Sequence, residues 1–101
     1  MQILHLTLKK HWFDLMLSGE KKQEFRKPSE WIRTRLVGKD YDLIKFVNGY
    51  GSDKPYFICE YLGYEISVGY KKIAFQSSEV EIEKGDFIIN LGKIIETGNL
   101  K

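Results

Sequence analysis

Residues 56–68 constrain the fold of this chain most, because they form a long run of β-branched and aromatic side chains interrupted by one glycine. Such side chains favour extended backbone, so the run predicts a single long strand. Gly63 lies inside it and predicts a bulge or a bend. In a chain of 101 residues, long strands with glycine bends favour a curled, closed sheet over an open one.

The remaining pattern predicts further strands and two short helices. Five more segments are extended in character, namely 2–7, 22–27, 42–47, 80–82 and 87–95, whereas 9–18 and 30–37 have helical spacing and 69–79 are predicted to be irregular. We therefore predict one α+β domain over residues 1–101. It is built on a small mixed β-barrel of five or six strands with two short helices.

Both helices carry an apolar stripe with a tryptophan in it. Trp12 and Met16 lie on the stripe of the first helix, for which Thr7 is the candidate N-cap. Trp31 and Leu36 lie on the stripe of the second. Both tryptophans are accordingly predicted to be core residues.

The composition excludes several classes of protein. No run approaches the roughly 18 to 20 apolar residues that a membrane span requires, and the first residues lack the pattern of a signal peptide. A cytoplasmic protein without a membrane partner is therefore expected. A single cysteine, Cys59, excludes an internal disulfide, and with only two separated histidines it argues against structural zinc. No cofactor is expected.

Charge is distributed unevenly along the chain. Residues 9–39 hold nine basic and four acidic side chains, a net charge of +5, so that the rest of the chain carries −3 within the total of +2. Such asymmetry suits a basic face that meets phosphates. An ordinary solvated surface is the alternative.

The charged residues that follow the first helix are the main candidates for function. Lys21, Glu24 and Arg26 fall within six residues, just after Gly19, which is predicted to end the first helix. Period-two alternation puts Glu24 and Arg26 on one face of a strand. Lys21 offers a compact cation, Arg26 a planar fork for a phosphate or a base edge, and Glu24 an acceptor for a base amine. The alternative is that Glu24 and Arg26 merely pair with each other on an exposed strand.

A second group of candidates lies outside this motif. Asn48 and Tyr50 belong to a glycine-rich turn, where an exposed tyrosine can stack on a base. An Asn-Gly pair is also simply what many tight turns require. Arg35, on the second helix, is a further candidate for extending the basic face, in preference to Arg33.

Together these residues resemble the ASCH domain, a branch of the PUA-like β-barrel superfamily. The resemblance rests on Gly19-x-Lys21-x-x-Glu24-x-Arg26, and it is supported by Trp31 with Arg35-Leu36, by Asn48-Gly49-Tyr50 and by the strand Phe87-Ile88-Ile89-Asn90-Leu91-Gly92. It covers about residues 4 to 96. It implies a PUA-like barrel with a cleft, formed by the motif and neighbouring loops, that acts on RNA, nucleosides or modified bases.

The resemblance also bears on catalysis. One ASCH branch is an amidohydrolase that acts on acetylated cytidine with a lysine, a threonine three residues later and a distant glutamate. Lys21 matches the lysine, but Glu24 stands where the threonine would be, and the distant glutamate has three candidates, Glu60, Glu65 and Glu79. A carboxylate is a much poorer nucleophile toward an amide than an activated hydroxyl.

Three functions therefore follow, in order of preference. The first is binding of RNA or of a nucleoside or nucleotide through Lys21, Glu24, Arg26, Arg35, Asn48 and Tyr50. The second is a small hydrolase, a ribonuclease or an amidohydrolase, in which Glu24 is a general base and Lys21 or Arg26 stabilises the developing charge. The third is a protein-interaction module, for which the sequence indicates no particular partner.

Overall fold

The computed structural model describes residues 1–100 and contains seven strands and two helices in these residues. Along the chain they are β1 (Ile3–Leu8), α1 (Lys10–Leu17), β2 (Gln23–Arg26), α2 (Glu30–Leu36), β3 (Leu43–Asn48), β4 (Tyr56–Ile66), β5 (Lys71–Ala74), β6 (Glu79–Ile82) and β7 (Phe87–Gly98). The fold is α+β, as the sequence predicts.

Five of the strands form one curled, mixed sheet in the order β1-β3-β4-β7-β2. β1 and β3 run parallel, with Ile3 opposite Leu43 and Leu8 opposite Asn48, whereas the other neighbours are antiparallel. Strands β1 and β2 are the two edges. The sheet is compatible with the predicted small mixed β-barrel, and its five strands agree with the predicted number.

Irregular pairing between β4 and β7 produces much of the curl. The register shifts between Tyr61 and Tyr64, where Gly63 has a φ of 90°. That region of backbone is disfavoured for any residue with a Cβ, so glycine is required there. The predicted glycine bulge is confirmed.

The two helices cover the concave face of this sheet. Phe13 and Met16 of α1 and Ile32 and Leu36 of α2 are all at most 3% exposed. They join one core cluster with side chains from the sheet, namely Leu4, Leu6, Leu8, Ile44, Phe46, Phe57, Cys59, Phe87, Ile89 and Leu91. Removal of this apolar surface from water is the main force that holds the layers together. Neither helix is long and apolar enough to span a bilayer in the part of the chain described.

Two expectations about the helices are wrong. Thr7 does not cap α1, because β1 continues through Leu8 and the helix begins after Lys9, whose side chain makes no capping bond. Trp31 is 48% exposed and is not a core residue. Helix α2 has only seven residues and buries the narrow stripe of Ile32 and Leu36. Trp31 lies about 100° around the helix from Ile32 and is left in solvent.

The segment predicted to be irregular contains strand β5, which pairs only with β6. The tip of this hairpin docks on α1 and on the turn that follows it. Three contacts hold it there: the ring of Phe75 meets Trp12 edge to face, the N–H of Gln76 donates to a carboxylate oxygen of Glu20, and Ser78 Oγ lies 2.8 Å from His11 Nε2. The sequence does not predict this hairpin, since each of its strands has only four residues and half of these are charged.

Candidate functional site

The three charged side chains of the motif form one connected network. Lys21 Nζ lies 3.0 Å from Glu24 Oε1, and Arg26 Nε lies 2.8 Å from Glu24 Oε2. Lys21 also donates a 2.7 Å hydrogen bond to the carbonyl oxygen of Gln23. Strand β2 places Glu24 and Arg26 on the same face, as the alternation predicts, and the turn before β2 brings Lys21 back onto it. Each oxygen of the Glu24 carboxylate is thus bound to a different cation.

Lys21 and Glu24 are buried, so the motif does not form a solvent-exposed charged cluster. Lys21 is 3% exposed and Glu24 is 5% exposed. Burial lowers the pKa of Lys21, and Arg26 acts in the same direction, while the attraction of Glu24 opposes both. The rings of Phe25 and Trp12 lie 5.0 and 5.6 Å from the ammonium nitrogen. Lys21 therefore faces an aromatic interior rather than solvent.

Arg26 is the member of the network that reaches a surface, with 26% of its side chain exposed. Its Nη2 donates a 2.8 Å hydrogen bond to the carbonyl oxygen of Thr7, on the opposite edge strand. With Nε held by Glu24, the guanidinium plane is fixed at two points. Three of its N–H groups have no partner in residues 1–100 and are free for a ligand.

A cavity of about 500 Å³ opens above Arg26. It contains four of the six residues predicted to bind a ligand: Glu24, Arg26, Asn48 and Tyr50. Its other walls are Thr7, Leu8, Lys9, Trp12 and Gly49. We call this the Arg26 cavity. Its size falls within the roughly 300–1,000 Å³ typical of small-molecule sites.

The loop after β3 forms one wall of the Arg26 cavity. The N–H of Asn48 donates to the carbonyl oxygen of Pro55 and closes the loop. Gly49 and Gly51 have φ values of 103° and 117°, which keeps the backbone tightly turned on both sides of Tyr50. Tyr50 is 83% exposed at the tip. A large aromatic ring held in solvent beside a fixed guanidinium is a suitable surface for a planar ligand.

The structure places the other two predicted residues elsewhere. Lys21 lies behind Glu24, and its ammonium does not line the Arg26 cavity. Arg35 stacks on Trp31, with its guanidinium carbon 3.6 Å from the ring centroid, and donates to the carbonyl oxygen of Trp31. Arg33, which the sequence ranks lower, lies instead over Phe87, the cross-strand partner of Arg26.

Lys9 and Trp12 also line the cavity, although the sequence does not single them out as ligand residues. They follow β1, whose end lies beside the end of β3 because these two strands are parallel. Loops that leave the carboxyl ends of neighbouring parallel strands often form binding sites. The parallel pairing is the signal that would have identified them, and it cannot be read from the periodicity of either strand alone.

No group of three or more His, Cys, Asp or Glu side chains within residues 1–100 could hold a metal ion. The chain matches no protein-family model, no curated protein and no solved structure.

Proposed function

We propose that the Arg26 cavity binds one nucleotide unit, either as a free nucleotide or as an unpaired position in RNA. The observation that carries the proposal is the guanidinium of Arg26. It is fixed by Glu24 and by the carbonyl oxygen of Thr7, and it keeps free N–H groups beside an exposed tyrosine. A guanidinium held in place loses little entropy when it binds a phosphate with two parallel hydrogen bonds.

The charges around the cavity support an anionic ligand. Glu24 is already neutralised by Lys21 and Arg26, which leaves this network with a net charge of +1. Lys9 adds a second positive charge and makes no ion pair within the described residues. Glu24 thereby acts as a positioning residue for Arg26, and the phosphate is recognised by Arg26 and Lys9.

The aromatic wall supports a base as the other half of the ligand. Tyr50 can stack on any nucleobase, since every base has a flat π-face, and such stacking contributes about 1–3 kcal/mol per base. Asn48 lies beside Tyr50 and offers both a donor and an acceptor to the edge of a base.

The proposal is tested by titrating the protein with cytidine, cytidine 5′-monophosphate and an unstructured oligoribonucleotide, at low and high salt. We expect the two phosphate-bearing probes to bind more tightly than cytidine, and we expect their affinity to fall as the salt concentration rises. Equal affinities for cytidine and its monophosphate would contradict a phosphate at Arg26. No binding of any of the three would remove the proposal.

A matched pair of variants locates the binding site. Tyr50→Ala should lower the affinity for all three probes by about tenfold, because stacking of the base on the tyrosine ring is lost. Tyr70→Ala is the control. Tyr70 is also strongly exposed, at 61%, but it does not line the Arg26 cavity. Equal effects of the two substitutions would contradict this location.

A hydrolase that acts on RNA or on a modified nucleoside is a second candidate. Its support is the buried Lys21, since a lysine whose pKa is lowered by burial is typical of catalytic sites. Glu24 is less suited to be a general base, because protonation would weaken both of its ion pairs. Incubation with acetylcytidine and with unstructured RNA tests this candidate. Turnover that Lys21→Ala abolishes would support it, and absence of turnover would exclude it for these substrates.

We also propose that the chain is an ASCH domain of the PUA-like superfamily. The support is the motif from Gly19 to Arg26, together with a curled mixed sheet and two short helices. A protein-interaction role has less support, because Glu24 and Arg26 of the motif line an open cavity of small-molecule size.

A further inference from the structure

A second cavity, of about 400 Å³, lies on the other side of the motif and shares no lining residue with the Arg26 cavity. It is bounded by the end of α1, the turn before β2, and strands β4 and β7. Its apolar walls are Met16, Phe57, Leu91 and Ile94, and Cys59 is the remaining side chain of its floor. We call this the β-bulge cavity. The function proposed above makes no use of it.

A bulge in the sheet builds this cavity. Between the pairs Cys59–Ile94 and Tyr61–Leu91, β4 has one intervening residue and β7 has two. The extra residue bends β7 away from the strand beside it, as bulges near binding sites do. Glu60 fixes this geometry, because its Oε1 accepts a 2.8 Å hydrogen bond from the N–H of Lys93.

Gly92 is the second element of the bulge. A Cβ at Gly92 would lie 2.6 Å from Glu60 Oε1 and 2.8 Å from the Cβ of Glu60. Glycine is therefore required for Glu60 to lie flat against β7. Gly92 itself lines the cavity.

The interior of the β-bulge cavity is apolar. Burial raises the pKa of the Cys59 thiol to about 12, so the thiol remains protonated at neutral pH. Phe57 and Cys59 are each 1% exposed, and Met16 is 3% exposed. A ligand that enters this space must present an apolar group to these side chains.

The mouth of the cavity is cationic. Lys22 and Lys93 are exposed at its rim, and neither makes an ion pair within residues 1–100. Lys21 also lines the cavity, but its charge is balanced by Glu24. Glu60, whose carboxylate accepts from the N–H of Lys93, lies next to this rim but does not line the cavity.

We propose that the β-bulge cavity binds a small amphipathic anion, an aliphatic monocarboxylate, with its chain between Met16 and Leu91 and its carboxylate at Lys22 and Lys93. An apolar floor and two unpaired cations at the mouth match a molecule with one apolar end and one anionic end.

Methionine methyl NMR tests this proposal on the intact chain. The sequence contains two methionines, Met1 and Met16. Met16 lines the cavity, whereas Met1 is 91% exposed and serves as an internal control. Octanoate, added below its micelle-forming concentration, should shift the Met16 methyl signal saturably and leave that of Met1 in place. The neutral analogue 1-octanol should bind more weakly.

Lysine variants test the assignment of the anionic end. Lys22→Gln/Lys93→Gln should weaken octanoate binding about two- to fivefold for each lysine removed, because exposed ion pairs are individually weak. The affinity for 1-octanol should not change. The control is Lys39→Gln/Lys71→Gln, which removes two exposed lysines that do not line the cavity. Glu60→Gln keeps an acceptor for the N–H of Lys93, removes the acid, and should tighten octanoate binding.

Each contrary result overturns a defined part of the proposal. A Met16 signal that octanoate does not move, or that moves only together with Met1, would exclude ligand binding in the cavity. Equal affinities for octanoate and 1-octanol would exclude recognition of the carboxylate. Neither result bears on nucleotide binding, because the two cavities have no residue in common.

Discussion

The guanidinium of Arg26 donates a 2.8 Å hydrogen bond to the carbonyl oxygen of Thr7, and this bond joins the two edge strands of the sheet. No backbone ladder connects β1 to β2 within the described residues, so the curled sheet is bridged here by a side chain. The same guanidinium forms the floor of the Arg26 cavity. The stability of the sheet and the proposed ligand binding therefore involve the same residue.

Arg26→Lys should weaken both properties, because an ammonium cannot hold Glu24 and Thr7 in the fixed geometry of a planar fork. We expect the free energy of unfolding to fall by about 1–3 kcal/mol and nucleotide affinity to fall by about tenfold. Urea denaturation and titration with cytidine 5′-monophosphate measure the two effects. Arg35→Lys is the control and should cost at most about 1 kcal/mol, because it changes only the stacking on the exposed Trp31. Equal losses in the two variants would contradict the special role of Arg26.

Glu24→Gln should be among the most destabilising substitutions in this chain, because it leaves the buried Lys21 ammonium without a counter-charge. Removal of one partner of a buried ion pair costs about 3–5 kcal/mol. Lys21→Met should cost less, since Glu24 keeps its bond to Arg26. The double variant should lose less than the sum of the single losses. Strict additivity in urea denaturation would show that the pair is not coupled.

The ion pair should also have a pH signature. Burial lowers the pKa of Lys21 in the folded state. At a pH between the folded-state pKa and the unfolded-state pKa, the unfolded chain therefore binds this proton more tightly than the folded chain does. The stability contributed by this group therefore rises as pH increases from the folded-state pKa toward 10.5. The difference in unfolding free energy between the wild type and Lys21→Met should grow across this window. A difference that is constant with pH would contradict the lowered pKa.

Tyr61→Phe should stabilise the protein, because the hydroxyl of Tyr61 is buried without a hydrogen-bond partner. Its removal should raise the free energy of unfolding by about 1 kcal/mol. Burial also raises the pKa of Tyr61 to about 12 from a usual value of 10.0, and the folded state therefore holds this proton more tightly. Stability contributed by this group is lost as pH rises from 10.0 toward 12. Over that pH range, the free energy of unfolding should fall less in the phenylalanine variant than in the wild type. An equal fall in the two proteins would contradict the burial of the hydroxyl.

Gly98→Ala should destabilise the sheet. A Cβ at Gly98 would collide with the ring of Tyr56, the residue opposite it in the ladder between β4 and β7. Tyr56 is half-buried, so its ring can move aside, but its hydrogen bond to Glu96 is then lost at a cost of about 1 kcal/mol. Gly69→Ala is the control, because a Cβ at Gly69 meets nothing within 4 Å and its φ is not positive. A thermal unfolding midpoint that is lowered equally by both substitutions would exclude the collision as the cause.

Local patterns in the sequence predicted most of the secondary structure. The alternation of residues 23–26 placed Glu24 and Arg26 on one face of β2, and Gly63 predicted the bulge in β4. Both follow from backbone geometry over a few residues. Trp31 shows where such reasoning fails. It fits an apolar helical stripe, but which part of a stripe is buried depends on what the rest of the chain places against it.

The sequence by itself determined the α+β character of this protein, its long bulged strand and the three charges of the motif, because each depends on neighbours within a few residues. The tertiary structure alone decided that Lys21 lies inside, that Arg26 reaches Thr7 and that Asn48 and Tyr50 face the same cavity. These relations depend on the parallel pairing of β1 with β3 and on the curl of the sheet. The parallel pairing joins residues 40 positions apart and the curl brings together residues 19 positions apart, and local periodicity carries no information over either distance.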